Sequence, residues 1–202
     1  MDKKELDNAI KYLGNDSNLK PLIRQYGKLD LGHSESPFKS LIKYIIYQQL
    51  SIASAKAIYI RFLQLFNHKP TPNNVKAIDP TILKDIGLSR QKIVYICDIA
   101  EFFINNDIDF DNLTNKEIYN KLIEIKGIGP WTIDMFLMFT LHKTNIMPIG
   151  DLGIKKGFKI LYDLDELPTD EFMLKKSKKW EPYQSIASMY LWKLIDGDAI
   201  FN

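Results

Sequence analysis

Apolar residues recur at helical spacing along almost the whole chain. Behind Pro37, for example, Phe38, Leu41, Ile42 and Ile45 fall on one face of a helix. Intervals of three and four residues place side chains on one helical face, whereas a half-buried strand needs strict alternation. Comparable runs follow one another to the end of the chain, and none alternates convincingly as a strand would. The sequence therefore predicts an all-α fold.

Capping residues mark where many of these helices begin. Ser36, Ser89 and Thr169 each directly precede a helical run, as N-cap residues do. Thr114 and Glu117 have the spacing of a capping box, in which each side chain bonds to the other residue's backbone. These signals predict many short helices joined by short turns.

A chain of 202 residues has room for one domain or two small lobes. No sharp linker divides it, so we expect a single compact unit. Divisions near residues 36 and 145 would give a central helical lobe, about 36–145, and a second lobe built from about 1–35 and 146–202. The segment before residue 30 has a mixed, polar pattern, and we expect it to lie beside the C-terminal helix.

Cysteine content and apolar runs exclude several classes of protein. Cys97 is the only cysteine, which excludes an intramolecular disulfide, a four-cysteine iron–sulfur cluster and a thiolate zinc site. No apolar run approaches the roughly 18 residues that would suggest a membrane span. The chain opens with charged residues rather than with the apolar core of a signal peptide. We therefore expect an intracellular protein with no membrane partner.

The formal net charge is only +2, so the distribution of charge says more than its sum. Lysines cluster in two stretches of the C-terminal third. These are Lys155, Lys156 and Lys159, followed by Lys175, Lys176, Lys178 and Lys179. Clustered cations bind phosphates locally whatever the overall charge. A solvated lysine-rich surface explains the same clusters and is the simpler interpretation of charge alone.

The most informative stretch is a tight turn between two predicted helices. One helix stops at Gly127, Ile128 lies between two glycines, and Pro130 begins the next helix. Paired glycines permit a tight turn, with positive φ where it is needed. Ile128 is expected to point into the core, and the exposed amides at the next helix start form a phosphate site. An ordinary αα-hairpin is the alternative interpretation of the two glycines.

The longer string, from the apolar helix through Pro130-Trp131-Thr132, resembles the helix-hairpin-helix element of base-excision DNA glycosylases. In that family the hairpin amides hold the DNA backbone, often with a monovalent cation bound by hairpin carbonyls when DNA is present. The contacts implied here for the DNA backbone involve Lys126, Gly127, Ile128, Gly129, Thr132 and Lys155.

Asp151 follows in the segment Pro148-Ile149-Gly150-Asp151. Aspartate before a helix is a preferred N-cap, worth about 1 kcal/mol, and a cap is the simpler interpretation of this residue alone. This segment closely resembles the corresponding segment of the glycosylase superfamily, in which the catalytic aspartate follows the hairpin in a Pro-x-x-Asp loop. The resemblance implies that Asp151 is the catalytic carboxylate.

Two further segments are similar to the 3-methyladenine DNA glycosylase II branch of the superfamily. Residues 180–192 resemble its C-terminal helix, which implies that Trp192 lines the base pocket. Gln184 departs from the branch, which often carries arginine there. Residues 46–51 resemble the segment that fills the gap left by an extruded nucleotide, which implies that Gln49 is the tip of this wedge, with Gln48 beside it.

The resemblance implies a monofunctional enzyme, in which water attacks the sugar. Trp131 stands where one lyase branch carries its nucleophilic lysine. Trp131 and Trp192 are candidates for an aromatic pocket that prefers cationic, alkylated purines. Core tryptophans are the alternative interpretation of both. No catalytic metal and no other cofactor are expected to be required.

Taken together, the sequence predicts two helical lobes with the helix-hairpin-helix element and an active site in the cleft between them. The expected partner is double-stranded DNA with damaged bases, bound by a monomer that uses no nucleotide cofactor. Such an enzyme would act in the nucleoid of a prokaryote or in the nucleus of a eukaryote. Three alternatives stay open: a glycosylase for mismatched thymine or uracil, a non-catalytic DNA-binding module, and a helical interaction scaffold.

Overall fold

The computed structural model describes residues 3–31 and 35–196, which fold into helices and turns. Within these two ranges there is no β-strand, which confirms the all-α prediction. No helix in this part of the chain has both the length and the apolar composition needed to cross a bilayer. The α-helices are α1 (Lys3–Leu13), α2 (Leu19–Tyr26), α3 (Pro37–Tyr47), α4 (Ile52–Leu65), α5 (Pro72–Ala77), α6 (Pro80–Asp85), α7 (Arg90–Asn105), α8 (Asn115–Leu122), α9 (Pro130–Met135), α10 (Leu152–Leu161), α11 (Asp170–Ser177) and α12 (Gln184–Asp196).

The chain divides into two compact units. One comprises residues 35–136, and the other combines the described residues of 1–34 with those of 137–196. The second division was expected near residue 145, but it falls directly after Phe136. The helix that begins at Pro130 continues as a π-helical turn over Phe136–Thr140, so the boundary lies inside continuous helix. A helix that runs on without a break leaves no boundary signal in the sequence.

In the unit of residues 35–136, α3 packs against α4, α7 and α9, while α5 and α6 pack against α7. The apolar face predicted for α3 is buried, and Leu41, Ile42 and Ile45 have no exposed surface. Pro37 is the first residue of α3, as expected. Ser36 precedes it but its side chain makes no capping hydrogen bond, so the proline alone marks this helix start.

The other predicted caps of this unit are present. Ser89 accepts a hydrogen bond from the backbone N–H of Lys92 at 3.3 Å. Thr114 and Glu117 form the predicted capping box, with each side chain bonded to the other residue's backbone N–H. These bonds satisfy helix N–H groups that have no partner within the helix.

In the other unit, α12 packs against α1, α2 and α10. Tyr190 of α12 is fully buried and its hydroxyl donates to the Gly27 carbonyl at 2.8 Å. Burial raises the pKa of Tyr190 to about 12, so the hydroxyl keeps its proton. The expected position of the N-terminal segment beside the C-terminal helix is therefore confirmed. Thr169 caps α11 as predicted, accepting from Phe172 N–H at 3.2 Å.

Candidate functional site

The hairpin between α8 and α9 is a compact turn held by backbone hydrogen bonds. Ile125 N–H donates to the Leu122 carbonyl, and Ile128 N–H donates to the Ile125 carbonyl, each at 3.1 Å. Ile128 is only 4% exposed, so its side chain points inward as predicted. The turn is thereby fixed to the core by one apolar side chain, and its backbone lies at the surface.

Gly127 is the position where glycine is required. Its φ is +86°, in the left-handed region, and a Cβ atom there would lie 2.2 Å from Cδ2 of the Tyr95 ring. Both the backbone conformation and the available space therefore exclude a side chain. The ring of Tyr95, on α7, covers this face of the hairpin.

Gly129, in contrast, is under no such steric or conformational restriction. Its φ is −109°, which other residues adopt, and a Cβ atom there would have no neighbour within 4 Å. Gly129 is the N-cap residue of α9, and Pro130 occupies the first helical position. A methyl group would fit here without strain, in open space at the N-cap of α9.

Gln48, at the end of α3, is bonded to the hairpin from within the same unit. Its side-chain amide donates to the Gly127 carbonyl at 3.0 Å and to the Thr132 hydroxyl at 3.1 Å. Gln48 was expected beside the wedge tip, but its amide group is used to support the hairpin. Thr132 was expected to bind the DNA backbone. It is only 1% exposed, so its hydroxyl instead supports the hairpin from inside.

Gln49, in contrast, is exposed and has an unusual backbone conformation. Its φ is +56°, in the left-handed region that few residues other than glycine adopt. Tyr47, Gln48, Gln49 and Trp131 line an open cavity of about 350 Å³. Trp131 is half-buried. The structure therefore brings the predicted wedge tip together with one of the two predicted pocket tryptophans.

Asp151, in the other unit, is the N-cap residue of α10, as its sequence position predicted. Its Oδ1 atom accepts a hydrogen bond from Ile154 N–H at 2.8 Å. The same atom accepts a second hydrogen bond, from the indole Nε1 of Trp192, at 2.9 Å. The donors come from two different helices, and together they fix the orientation of the carboxylate. A negative charge at this helix start is also favoured by the helix dipole.

Trp192 reaches Asp151 from α12 and is 4% exposed. Its ring lies against Phe139, with a centroid distance of 5.8 Å and an interplanar angle of 33°. Two of the predicted site residues, Asp151 and Trp192, are thus in direct contact. Phe139 was not predicted. It belongs to the π-helical turn, whose altered spacing does not follow a regular helical pattern.

The roles of two glycines in α10 were also not predicted. A Cβ atom on Gly153 would lie 3.0 Å from Asp151 Oδ1 and 3.0 Å from Trp192 Nε1. One on Gly157 would lie 2.9 Å from the Leu191 Cβ atom. The two glycines therefore permit the close approach of α10 and α12 that brings the indole to the carboxylate. Their spacing of four residues on one helix face was a usable signal.

The lysines singled out in the sequence differ in their partners within the protein. Lys126 is exposed beside the hairpin. Lys155 is paired with Asp170 at 2.8 Å, so a phosphate group would have to compete for its ammonium. Lys176 lies 5.2 Å from the centroid of the Tyr162 ring, close enough for a cation–π contact. The lysine clusters are therefore partly engaged within the protein itself.

Gln184, the position that departs from the branch pattern, has a role within its own unit. It is 8% exposed, and its side-chain amide donates to the Ser177 carbonyl and to the Ser177 hydroxyl, each at 3.2 Å. These bonds tie the start of α12 to the end of α11. In the described part of the chain, no three His, Cys, Asp or Glu side chains are grouped so that they could hold a metal ion.

The comparisons with known proteins agree on one family. Residues 42–182 match the family model described as "HhH-GPD superfamily base excision DNA repair protein". "DNA-3-methyladenine glycosylase 1" of Schizosaccharomyces pombe is 35% identical over 189 residues, which cover 89% of this chain and 83% of that protein. "Putative DNA-3-methyladenine glycosylase YfjP" of Bacillus subtilis is 32% identical over 190 residues, which cover 89% of this chain and 66% of that protein.

Solved structures give the same result. The S. pombe 3-methyladenine DNA glycosylase, solved in complex with abasic DNA, has a TM-score of 0.84 at 34% identity, and the match covers 92% of this chain and 95% of that one. A DNA-3-methyladenine glycosidase from Bacillus halodurans has a TM-score of 0.82 at 34% identity, with 95% and 90% covered. The family match spans well over half of the sequence, and the chain therefore belongs to the HhH-GPD superfamily of base excision DNA repair proteins.

Proposed function

We propose that the protein is a monofunctional DNA glycosylase that removes alkylated purines, of the 3-methyladenine and 7-methylguanine type, from double-stranded DNA. The observation that carries the proposal is the carboxylate of Asp151, fixed by Ile154 N–H and by the Trp192 indole. Two relatives that are more than 30% identical carry the name DNA-3-methyladenine glycosylase. The substrate class follows from those names and from the aromatic ring of Trp192, which lies beside the Asp151 carboxylate.

The reaction begins when the damaged nucleotide leaves the duplex, because a stacked base is out of reach of the enzyme. Gln49, which is exposed on the turn between α3 and α4, fills the vacancy. The hairpin amides and Lys126 hold the DNA backbone. A monovalent cation held by hairpin carbonyls would add to this contact when DNA is bound, and the chemistry itself needs no metal or cofactor.

Bond cleavage passes through a cationic, oxocarbenium-like sugar. The bond between the sugar C1′ and the base nitrogen breaks, and its electron pair leaves with the base. A methylated purine is already cationic, so it departs as a neutral base without a general acid. The negative charge of Asp151 stabilises the sugar cation. Water then bonds to C1′ and loses a proton, which leaves an abasic site.

Aromatic side chains favour a cationic base by about 0.5–2 kcal/mol, through the negative face of the ring. This preference supports alkylated purines over normal purines and over uracil, which are neutral. Since the proposed substrate is chromosomal DNA, we expect the protein to act in the nucleoid of a prokaryote or in the nucleus of a eukaryote.

Release of 3-methyladenine, 7-methylguanine and uracil from matched duplex oligonucleotides tests the substrate class. We expect release of the two methylated purines and no release of uracil. Release of uracil alone would favour a mismatch or uracil glycosylase. A parallel incubation with borohydride is expected to trap no covalent complex, and a trapped complex would show that an enzyme amine is the nucleophile.

A further inference from the structure

The turn that carries Gln49 is held by a lysine from another helix. The last carbonyls of a helix lack N–H partners within it, and α3 ends at Tyr47. Lys92, on α7, donates from Nζ to the Ile46 carbonyl and to the Gln48 carbonyl, each at 2.7 Å. Both acceptors are neutral, and burial lowers the pKa of the Lys92 ammonium. Burying part of a cation costs free energy, which indicates that Lys92 has a specific role at this turn.

The bond to the Gln48 carbonyl acts directly on Gln49. That carbonyl belongs to the peptide group that joins Gln48 to Gln49, so its hydrogen bond fixes the orientation of the peptide plane. Gln49 has a φ of +56°, and such a conformation persists only where its surroundings impose it. On the other side of the turn, Ser51 caps α4 by accepting from Ser54 N–H. The turn that contains Gln49 thus has a hydrogen-bonded residue on each side of it.

The same anchor also reaches the hairpin. Gln48, whose carbonyl Lys92 holds, donates from its side chain to the Gly127 carbonyl and to the Thr132 hydroxyl. Lys92 is therefore connected, through one residue, to both elements that are proposed to contact DNA. These contacts all lie within the unit of residues 35–136.

We propose that Lys92 is a positioning residue, which holds the peptide between Gln48 and Gln49 so that the Gln49 side chain is presented for insertion into the duplex. The inference rests on the proposed function, because it assigns Gln49 the filling of the vacancy. It predicts that Lys92 increases the rate of base release from duplex DNA, in which an extruded base leaves a gap. Single-stranded DNA has no stacked partner strand, so it does not need the gap to be filled.

The test compares Lys92→Met, which keeps the apolar stem but removes the ammonium, with Lys92→Arg, which keeps a cation and its donors. Lys76→Met is the matched control, since Lys76 lies in the same unit and pairs with Glu101 at 2.7 Å. One measurement is hydrogen exchange of the amides of residues 48–51 in the free protein. The other is the single-turnover rate of methylated-base release from duplex and from single-stranded DNA of the same sequence.

For Lys92→Met we expect faster exchange in the turn and a duplex-to-single-strand rate ratio that is roughly 10- to 100-fold lower, as displaced active-site groups produce. Lys92→Arg is expected to recover most of that ratio, and Lys76→Met to leave both measurements unchanged. If Lys92→Met does not fold, Lys92→Gln, which also removes the ammonium, takes its place, and a duplex-to-single-strand ratio equal to the wild-type value would then overturn the inference.

Unchanged exchange in Lys92→Met would overturn the inference, and so would equal losses on duplex and single-stranded DNA, which indicate only a general structural role. Failure of the proposed function is recognised separately. In that case the wild-type protein itself releases no methylated base from either DNA, and the positioning role falls with it.

Discussion

Replacing Trp192 with phenylalanine isolates the hydrogen bond that fixes Asp151. The chain offers a matched control in Trp180, a second tryptophan of the same unit. Trp192 is 4% exposed and its Nε1 atom donates to Asp151 Oδ1 at 2.9 Å. Trp180 is fully buried, and its Nε1 atom has no hydrogen-bond partner among the described residues. Both substitutions remove the same atoms from a buried ring, but only one removes a hydrogen bond.

The size of the difference follows from these two environments. A hydrogen bond to a charged group contributes about 1.5–3 kcal/mol to stability, and an unsatisfied buried donor costs about 1–3 kcal/mol. Trp192→Phe loses the stabilisation from its hydrogen bond to Asp151. Trp180→Phe instead removes an unsatisfied buried donor, and with it the cost of burying that donor. We therefore expect Trp192→Phe to be less stable than Trp180→Phe by at least about 2 kcal/mol, or roughly 4–8 °C in Tm for a chain of this size.

Activity is expected to separate the two variants as well. Without the indole donor, the Asp151 carboxylate loses one of the hydrogen bonds that fix its orientation, although Oδ1 still accepts from Ile154 N–H. We expect base release to fall roughly 10- to 100-fold in Trp192→Phe and to stay near the wild-type rate in Trp180→Phe. Thermal unfolding and single-turnover release from methylated duplex DNA measure both effects. Equal stability and equal activity of the two variants would refute this account of how the carboxylate is held.

Glycine substitutions provide two further predictions. Gly127→Ala must adopt a φ of +86° against the Tyr95 ring and is expected to cost about 2–5 kcal/mol in the free energy of unfolding. Gly129→Ala meets no atom within 4 Å, so denaturant unfolding should show a loss of no more than about 1 kcal/mol, while DNA affinity falls roughly 10-fold or more as a backbone contact is lost. If Gly129→Ala binds DNA as well as wild type does, the hairpin does not lie against phosphate. Gly153→Ala favours helix by up to about 1 kcal/mol but places Cβ 3.0 Å from Asp151 Oδ1. Its Tm should fall, because displacing the Asp151–Trp192 pair costs more than the helix preference of alanine gains, and base release should fall roughly 10-fold. A variant with unchanged activity would show that the pair tolerates the displacement.

Local signals in the sequence were enough to predict much of the fold. The capping box at Thr114, the helix start at Pro130 and the inward side chain of Ile128 all depend on residues a few positions apart, and all were predicted. Asp151 was predicted as a helix cap for the same reason. Interactions of this kind follow from backbone geometry alone, so a single sequence reveals them.

Contacts between distant segments were not predictable in this way. The indole of Trp192 meets Asp151 across 41 positions of sequence, and the ammonium of Lys92 meets the Gln48 carbonyl across 44. The resemblance to glycosylases placed both Asp151 and Trp192 at the site, but it did not specify the bond between them. It also placed Gln48 at the wedge, whereas the side chain bonds to the hairpin. Which of two adjacent glutamines faces outward depends on tertiary structure rather than on local pattern.

Asp151→Asn tests the central claim most directly, because asparagine keeps the shape and the acceptor oxygen of the side chain and removes only its charge. Asparagine caps helices as well as aspartate does, so we expect a loss of no more than about 2 kcal/mol in the free energy of unfolding, from the weaker bond to Trp192 and the lost interaction with the helix dipole. Asp79→Asn is the control, since Asp79 is also an N-cap aspartate, with Oδ1 accepting from Thr81 N–H at 2.8 Å. Single-turnover release of methylated purine from duplex DNA should fall roughly 100- to 1,000-fold in Asp151→Asn, with DNA affinity retained, and should not change in Asp79→Asn. A wild-type rate of release by Asp151→Asn would contradict the account.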